Sequence, residues 1–105
     1  MKTLIHATLR CNLKSIRRNG LLCSRSRGER LAVWLAQPDN ERYVISHMLS
    51  KHAASLDEVV IIRVRVPEGT LRKHGRHGLL YSIQDIPVDA IIGVKGFVPV
   101  EESTW

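Results

Sequence analysis

The segment that most limits what this chain can fold into is Glu58-Val59-Val60-Ile61-Ile62-Arg63-Val64-Arg65-Val66. Valine and isoleucine are stiff at χ1 and fit a pleated, packed surface better than a helix. The segment starts as a fully apolar run and passes into strict alternation, the pattern of a strand covered on both faces at first and on one face later. Pro67 ends it, because proline cannot donate to a strand ladder. This is the strongest strand signal in the chain, and the rest of the fold has to be arranged around it.

Other elements are weaker and shorter. Leu4-Ile5-His6-Ala7-Thr8 reads as a first strand, and Asn12 stands where it can cap a short helix carrying Leu13 and Ile16. Gly20 is the stop signal for that helix, in the left-handed conformation glycine tolerates, with Leu22 placed to pack back on the last turn. Leu31 to Ala36 reads as a buried strand. Pro38-Asp39-Asn40 breaks it, and Glu41 to about His52 follows as the best amphipathic helix, with Val44, Ile45, Met48 and Leu49 at helical spacing. Glu68 to Leu71 suggests a turn with one helical turn, and Lys73 to Gly78 a basic loop. Leu79–Ile83 and Ile91–Val100 are the last two strands. The order β-α-β-α-β-β-β, helices early and strands late, predicts an α+β domain, 1–105, around a mostly antiparallel sheet with two main helices.

Composition bounds the function classes. Of 105 residues, 44% are hydrophobic and 25% charged, which is ordinary for a soluble globular domain and excludes a disordered tail. No apolar run approaches the length of a membrane span, and Lys2, His6 and Arg10 interrupt any secretory leader, so a cytoplasmic protein without a membrane partner is expected. The net charge is +6, and its position is more informative than its size. Residues 1–30 carry eight basic side chains against Glu29 alone, a net of +7, whereas the remaining 75 carry eight basic and nine acidic, a net of −1. Clustered arginine and lysine favour a phosphate-bearing or polyanionic partner; a generally basic, solvated surface explains the charge equally well. Cys11 and Cys23 form no Cys-x-x-Cys pair and are expected to be small buried thiols. His74 and His77 lie three apart in a basic loop with no third ligand nearby, so no metal is expected there.

The run His6-Ala7-Thr8, followed by Asn12-Leu13-Lys14-Ser15-Ile16-Arg17-Arg18-Asn19-Gly20-Leu21, is similar to the opening of ADP-ribosyltransferase-like domains. DarT-type toxins that target DNA and RNA 2′-phosphotransferases share this layout. The later Ile86-Pro87-x-x-Ala90-Ile91 resembles a stretch near the end of many such domains, and the likeness spans roughly residues 3–98. It implies a small fold with a split, mostly antiparallel sheet, and NAD⁺ as ligand and substrate, with a nucleic acid or protein as acceptor. It also assigns residues. His6 would hold the adenosine ribose, Thr8 would support the turn or ribose pocket, and Trp34 would stack on nicotinamide. Arg10, Arg25, Arg27 and Arg30 would meet the pyrophosphate, where the guanidinium fork supplies both charge and direction.

One departure is plain. Many active members carry a late-strand glutamate, but the corresponding strand here reads Gly78-Leu79-Leu80-Tyr81-Ser82-Ile83-Gln84-Asp85. Tyr81, Ser82 or Gln84 would take that place, and a neutral group cannot stabilise a developing positive charge as a carboxylate does. Three outcomes stay open: ADP-ribose transfer assisted by the acceptor, RNA 2′-phosphotransferase-like chemistry relying on arginines, or a non-catalytic basic protein that binds nucleic acid or a partner on the same fold.

Overall fold

The computed structural model describes residues 1–25, 32–51, 55–74 and 79–97, without the side chains of Arg25 and His74. Six strands form one sheet: β1 (Lys2–Leu9), β2 (Val33–Ala36), β3 (Val59–Val66), β4 (Leu71–His74), β5 (Leu79–Ser82) and β6 (Ile91–Gly96). Their spatial order is β4-β5-β2-β1-β3-β6, and every neighbouring pair is antiparallel. Two helices, α1 (Leu13–Asn19) and α2 (Glu41–Lys51), complete the α+β architecture. Among the described residues, no helix is long and apolar enough to cross a membrane.

β3 carries out its sequence pattern residue by residue. Val59 to Ile62 are all buried, and from there exposed Arg63 and Arg65 alternate with buried Val64 and Val66. The strand lies between β1 and β6, so its backbone donors and acceptors are paired on both sides. One apolar layer joins Leu4, Leu35, Ile62 and Leu80 to Ile16 of α1 and to Ile86. On the other face Ile5, Ala36 and Ile61 meet Val44 and Ile45 of α2 together with Phe97. Burying each such Leu or Ile contributes about 1.5–3 kcal/mol.

The split expected of the sheet takes a particular form. β1 and β3 are registered along eight residues, from Lys2↔Val66 to Leu9↔Val59, whereas β1 and β2 meet at the single pair Ile5↔Ala36. The sheet is continuous in hydrogen bonding and almost parted at this seam.

Several local expectations are corrected. Leu71–His74 is an edge strand, registered Leu71↔Ser82 to His74↔Leu79 on β5, preceded by a 3₁₀ turn at Glu68–Thr70. Its single apolar residue, Leu71, gives too little pattern to reveal a strand that depends on β5 for pairing. β2 starts at Val33, with Leu31 outside the described residues, and β6 ends at Gly96, with 98–100 also outside them. Asn12 precedes α1 but does not cap it; a 3₁₀ turn (Arg10–Asn12) leads into the helix, and the Asn12 side-chain Nδ2 donates to Thr8 Oγ1 at 3.0 Å. Cys11 is exposed and Cys23 half-buried.

Gly20 ends α1 with φ 77°, donating its N–H to Ile16 O at 2.8 Å. A β-carbon there would overlap the Ile86 carbonyl oxygen. The next residue, Leu21, exchanges two 2.8 Å backbone hydrogen bonds with Ile86. Leu21, rather than Leu22, is the residue that enters the core behind the helix.

Candidate functional site

β1 is bonded to β3 along its whole length, but past Ile5 it has no partner on the β2 side. A cleft of about 660 Å³ opens along this seam, in the usual size range of small-ligand sites. His6 and Thr8 of β1 and Trp34 of β2 line it, with Asn12 from the turn before α1, Ser15 from α1, and Tyr43, His47 and Lys51 from α2.

The seam is held by His6. Its Nδ1 lies 2.7 Å from the main-chain oxygen of Trp34. A carbonyl only accepts, so Nδ1 carries the proton and Nε2 of the neutral ring is left as an acceptor. Burial drives the His6 pKa below its usual value and outweighs the Trp34 carbonyl, which acts in the opposite direction. The ring keeps partial solvent access while being closely surrounded by protein. At neutral pH it is therefore an uncharged hydrogen-bond acceptor beside an open cavity.

Thr8 is buried, and its hydroxyl accepts from Asn12 Nδ2, tying the end of β1 to the start of α1. Trp34 stands directly opposite Tyr81 in the β2–β5 register, which puts both side chains on the same face. Their ring centroids are 5.2 Å apart and tilted by 50°. Tyr81 thus supports Trp34 from the strand behind it.

Ser82 and Gln84 are placed elsewhere. Ser82 follows Tyr81 on β5 and so faces the opposite side of the sheet. It is buried, donating from Oγ to the Gln84 carbonyl at 2.7 Å and accepting the Gln84 N–H at 3.2 Å. Both residues border a second cavity, near Met1 and Val66, at the far end of β1 from Thr8. The half-buried Cys23 lies close to them, its Sγ donating to the Ser82 carbonyl at 3.6 Å. Burial, with the Asp85 carboxylate beside it, pushes the Cys23 thiol above its usual pKa, so it is a poor nucleophile.

Of the four arginines nominated for the pyrophosphate, Arg10 is directed away from the cleft. Its Nε donates to the Asp57 carbonyl at 2.9 Å, and its guanidinium lies over Gly96. The Arg25 side chain and the whole of Arg27 and Arg30 lie outside the described residues.

Asn12, Ser15, Tyr43, His47 and Lys51 escape a reading based on strand motifs. A usable signal exists for three of them: Tyr43, His47 and Lys51 recur every four residues, which puts them on one face of α2. The Tyr43 and His47 rings are stacked, with centroids 6.5 Å apart and planes 23° from parallel. Among the described residues that line the cleft there is no aspartate or glutamate, so its ionisable groups favour an anion. In comparisons with known proteins, no family model matches the chain and no curated protein sequence matches it.

Proposed function

We propose that this protein is ADP-ribosyltransferase-like and takes NAD⁺ into the seam cleft. The observation that carries the reading is the His6–Trp34 bond. It holds the strands where they diverge and leaves a neutral Nε2 acceptor suited to a ribose hydroxyl. Trp34, supported by Tyr81, offers a ring for nicotinamide. In a transfer reaction the C1′–nicotinamide bond breaks, its electron pair leaves with nicotinamide, and an acceptor nucleophile bonds to C1′ and gives up its proton to solvent. Calorimetry with NAD⁺ and ADP-ribose, on the wild type and on His6→Ala, tests the reading. Micromolar to low-millimolar binding that weakens in the variant supports it; no binding of either ligand by the wild type overturns it.

A second reading has its own support. The described cleft residues include no carboxylate for the positive charge that develops at C1′, and Lys14, Arg17 and Arg18 of α1 are exposed. A protein that keeps the fold without turnover and binds nucleic acid through this basic helix would show steeply salt-dependent DNA or RNA binding that ignores His6→Ala. Nicotinamide release in the presence of NAD⁺ decides for the enzyme.

A further inference from the structure

We infer that the Tyr43–His47–Lys51 face of α2 is the adenosine-phosphate half of the site: the stacked rings take the adenine, and the ammonium takes the phosphate next to it. This rests on the NAD⁺ reading above and adds to it which side chains hold the adenosine-phosphate half of the ligand.

The three side chains follow one another at four-residue intervals and all line the cleft. Tyr43 and His47, with ring centroids 6.5 Å apart and planes 23° from parallel, place two aromatic rings side by side on the helix face that lines the cleft, and a purine can stack on such a pair. Trp34 shares its sheet face with Ala36, which packs on Val44 and Ile45 of α2. With Trp34 already given to nicotinamide, the α2 rings are left for the purine. Lys51 lies one helical turn beyond His47, about 6 Å along the axis. A 5′-nucleotide likewise sets its first phosphate one sugar away from its base. No carboxylate among the described cleft residues competes for the Lys51 ammonium. Met48, on the same helix, is buried and fixes the platform against the rest of the protein. Recognition would therefore be split, with stacking at Tyr43 and charge at Lys51.

Calorimetric titration with adenosine, ADP and nicotinamide mononucleotide separates the parts. Tyr43 and Lys51 are exposed, so their variants should fold, and thermal midpoints check that. Lys51→Ala is expected to weaken ADP by about tenfold and adenosine by less than about twofold, with Lys51→Arg restoring most of the loss. Tyr43→Ala is expected to weaken adenosine and ADP alike by about tenfold and leave nicotinamide mononucleotide unchanged. Lys73→Ala, on an exposed β4 position away from the cleft, controls for a general loss of charge. If nicotinamide mononucleotide, and not ADP, follows Tyr43→Ala, the assignment is overturned. If ADP ignores both α2 changes but is lost in His6→Ala, the assignment is also overturned while the NAD⁺ reading stands. A wild type that binds none of these ligands, nor NAD⁺, brings down both.

Discussion

The imidazole of His6 reaches across the parting of β1 and β2 to donate from Nδ1 to the main-chain oxygen of Trp34, 2.7 Å away. One side chain thus does what a ladder of backbone bonds does elsewhere in the sheet, at the point where the ladder stops at Ile5↔Ala36.

The burial of His6, which outweighs the opposing effect of that bond, makes stability depend on pH with a definite sign. The folded protein holds His6 below its ordinary value of 6.5, so between the two values the unfolded chain binds more protons. Stability is complete above about pH 6.5 and is lost as the pH falls through the lowered folded value. Glu58 acts in a separate, more acidic window. Hydrogen bonds from Ser55 hold its pKa down, so its contribution is present above 4.5 and lost as the pH falls below that. Thermal midpoints from pH 8 to pH 3.5 should show both steps, and His6→Ala should remove the first only. A profile of His6→Ala identical to that of the wild type would overturn the assignment. The substitution itself should cost about 1–3 kcal/mol, because the Trp34 carbonyl loses its partner.

Gly20→Ala should destabilise the fold without touching the cleft's polar groups. The backbone there has φ 77°, and the new methyl group would run into the Ile86 carbonyl. Strain and overpacking together cost about 2–4 kcal/mol, enough to lower Tm by roughly 8 °C or more in a domain of this size. A denaturant titration checks it, with the loss appearing as a shifted midpoint at unchanged slope.

Ser82→Ala and Trp34→Ala should separate stability from binding. Ser82 is enclosed in a turn with Gln84, so its loss costs about 1–2 kcal/mol and leaves NAD⁺ affinity unchanged. Removing the Trp34 ring should weaken NAD⁺ by about tenfold. Calorimetry below the unfolding transition of both variants measures this, and a Ser82→Ala protein that folds but no longer binds would contradict the placement of Ser82 outside the cleft.

Arg10→Ala should likewise spare the ligand. Its guanidinium is engaged by the Asp57 carbonyl and lies over Gly96, outside the cleft. The expected change is under about 1 kcal/mol in stability, as for other exposed polar contacts, with nucleotide affinity within twofold of the wild type. A large loss of affinity would show that the side chain swings into the site when ligand is bound.

Much of the frame is legible in the residues themselves. Val59 to Val66 announces a strand and even the point where its second face meets water, because side-chain alternation is a local property. Glu41 to Lys51 announces a helix through Val44, Ile45 and Met48, and Gly20 announces the end of α1. The edge strand at Leu71–His74 is not legible, since one apolar residue in four leaves its identity to the partner it pairs with.

The site divides in the same way. The sequence by itself settled that His6, Thr8 and Trp34 sit on strands with a basic segment between them, and that no glutamate follows Leu79 on the late strand. Only the tertiary structure decided which of them share a cavity. Register is a relation between distant segments: Trp34↔Tyr81 puts Tyr81 behind the cleft, and the same pleat turns Ser82 to the other face. The cleft itself exists because β1 keeps β3 and releases β2 after a single pair, which no residue of either strand specifies alone. Tyr43, His47 and Lys51 line the cleft only because α2 packs beside that opening, where a four-residue spacing puts them on one face.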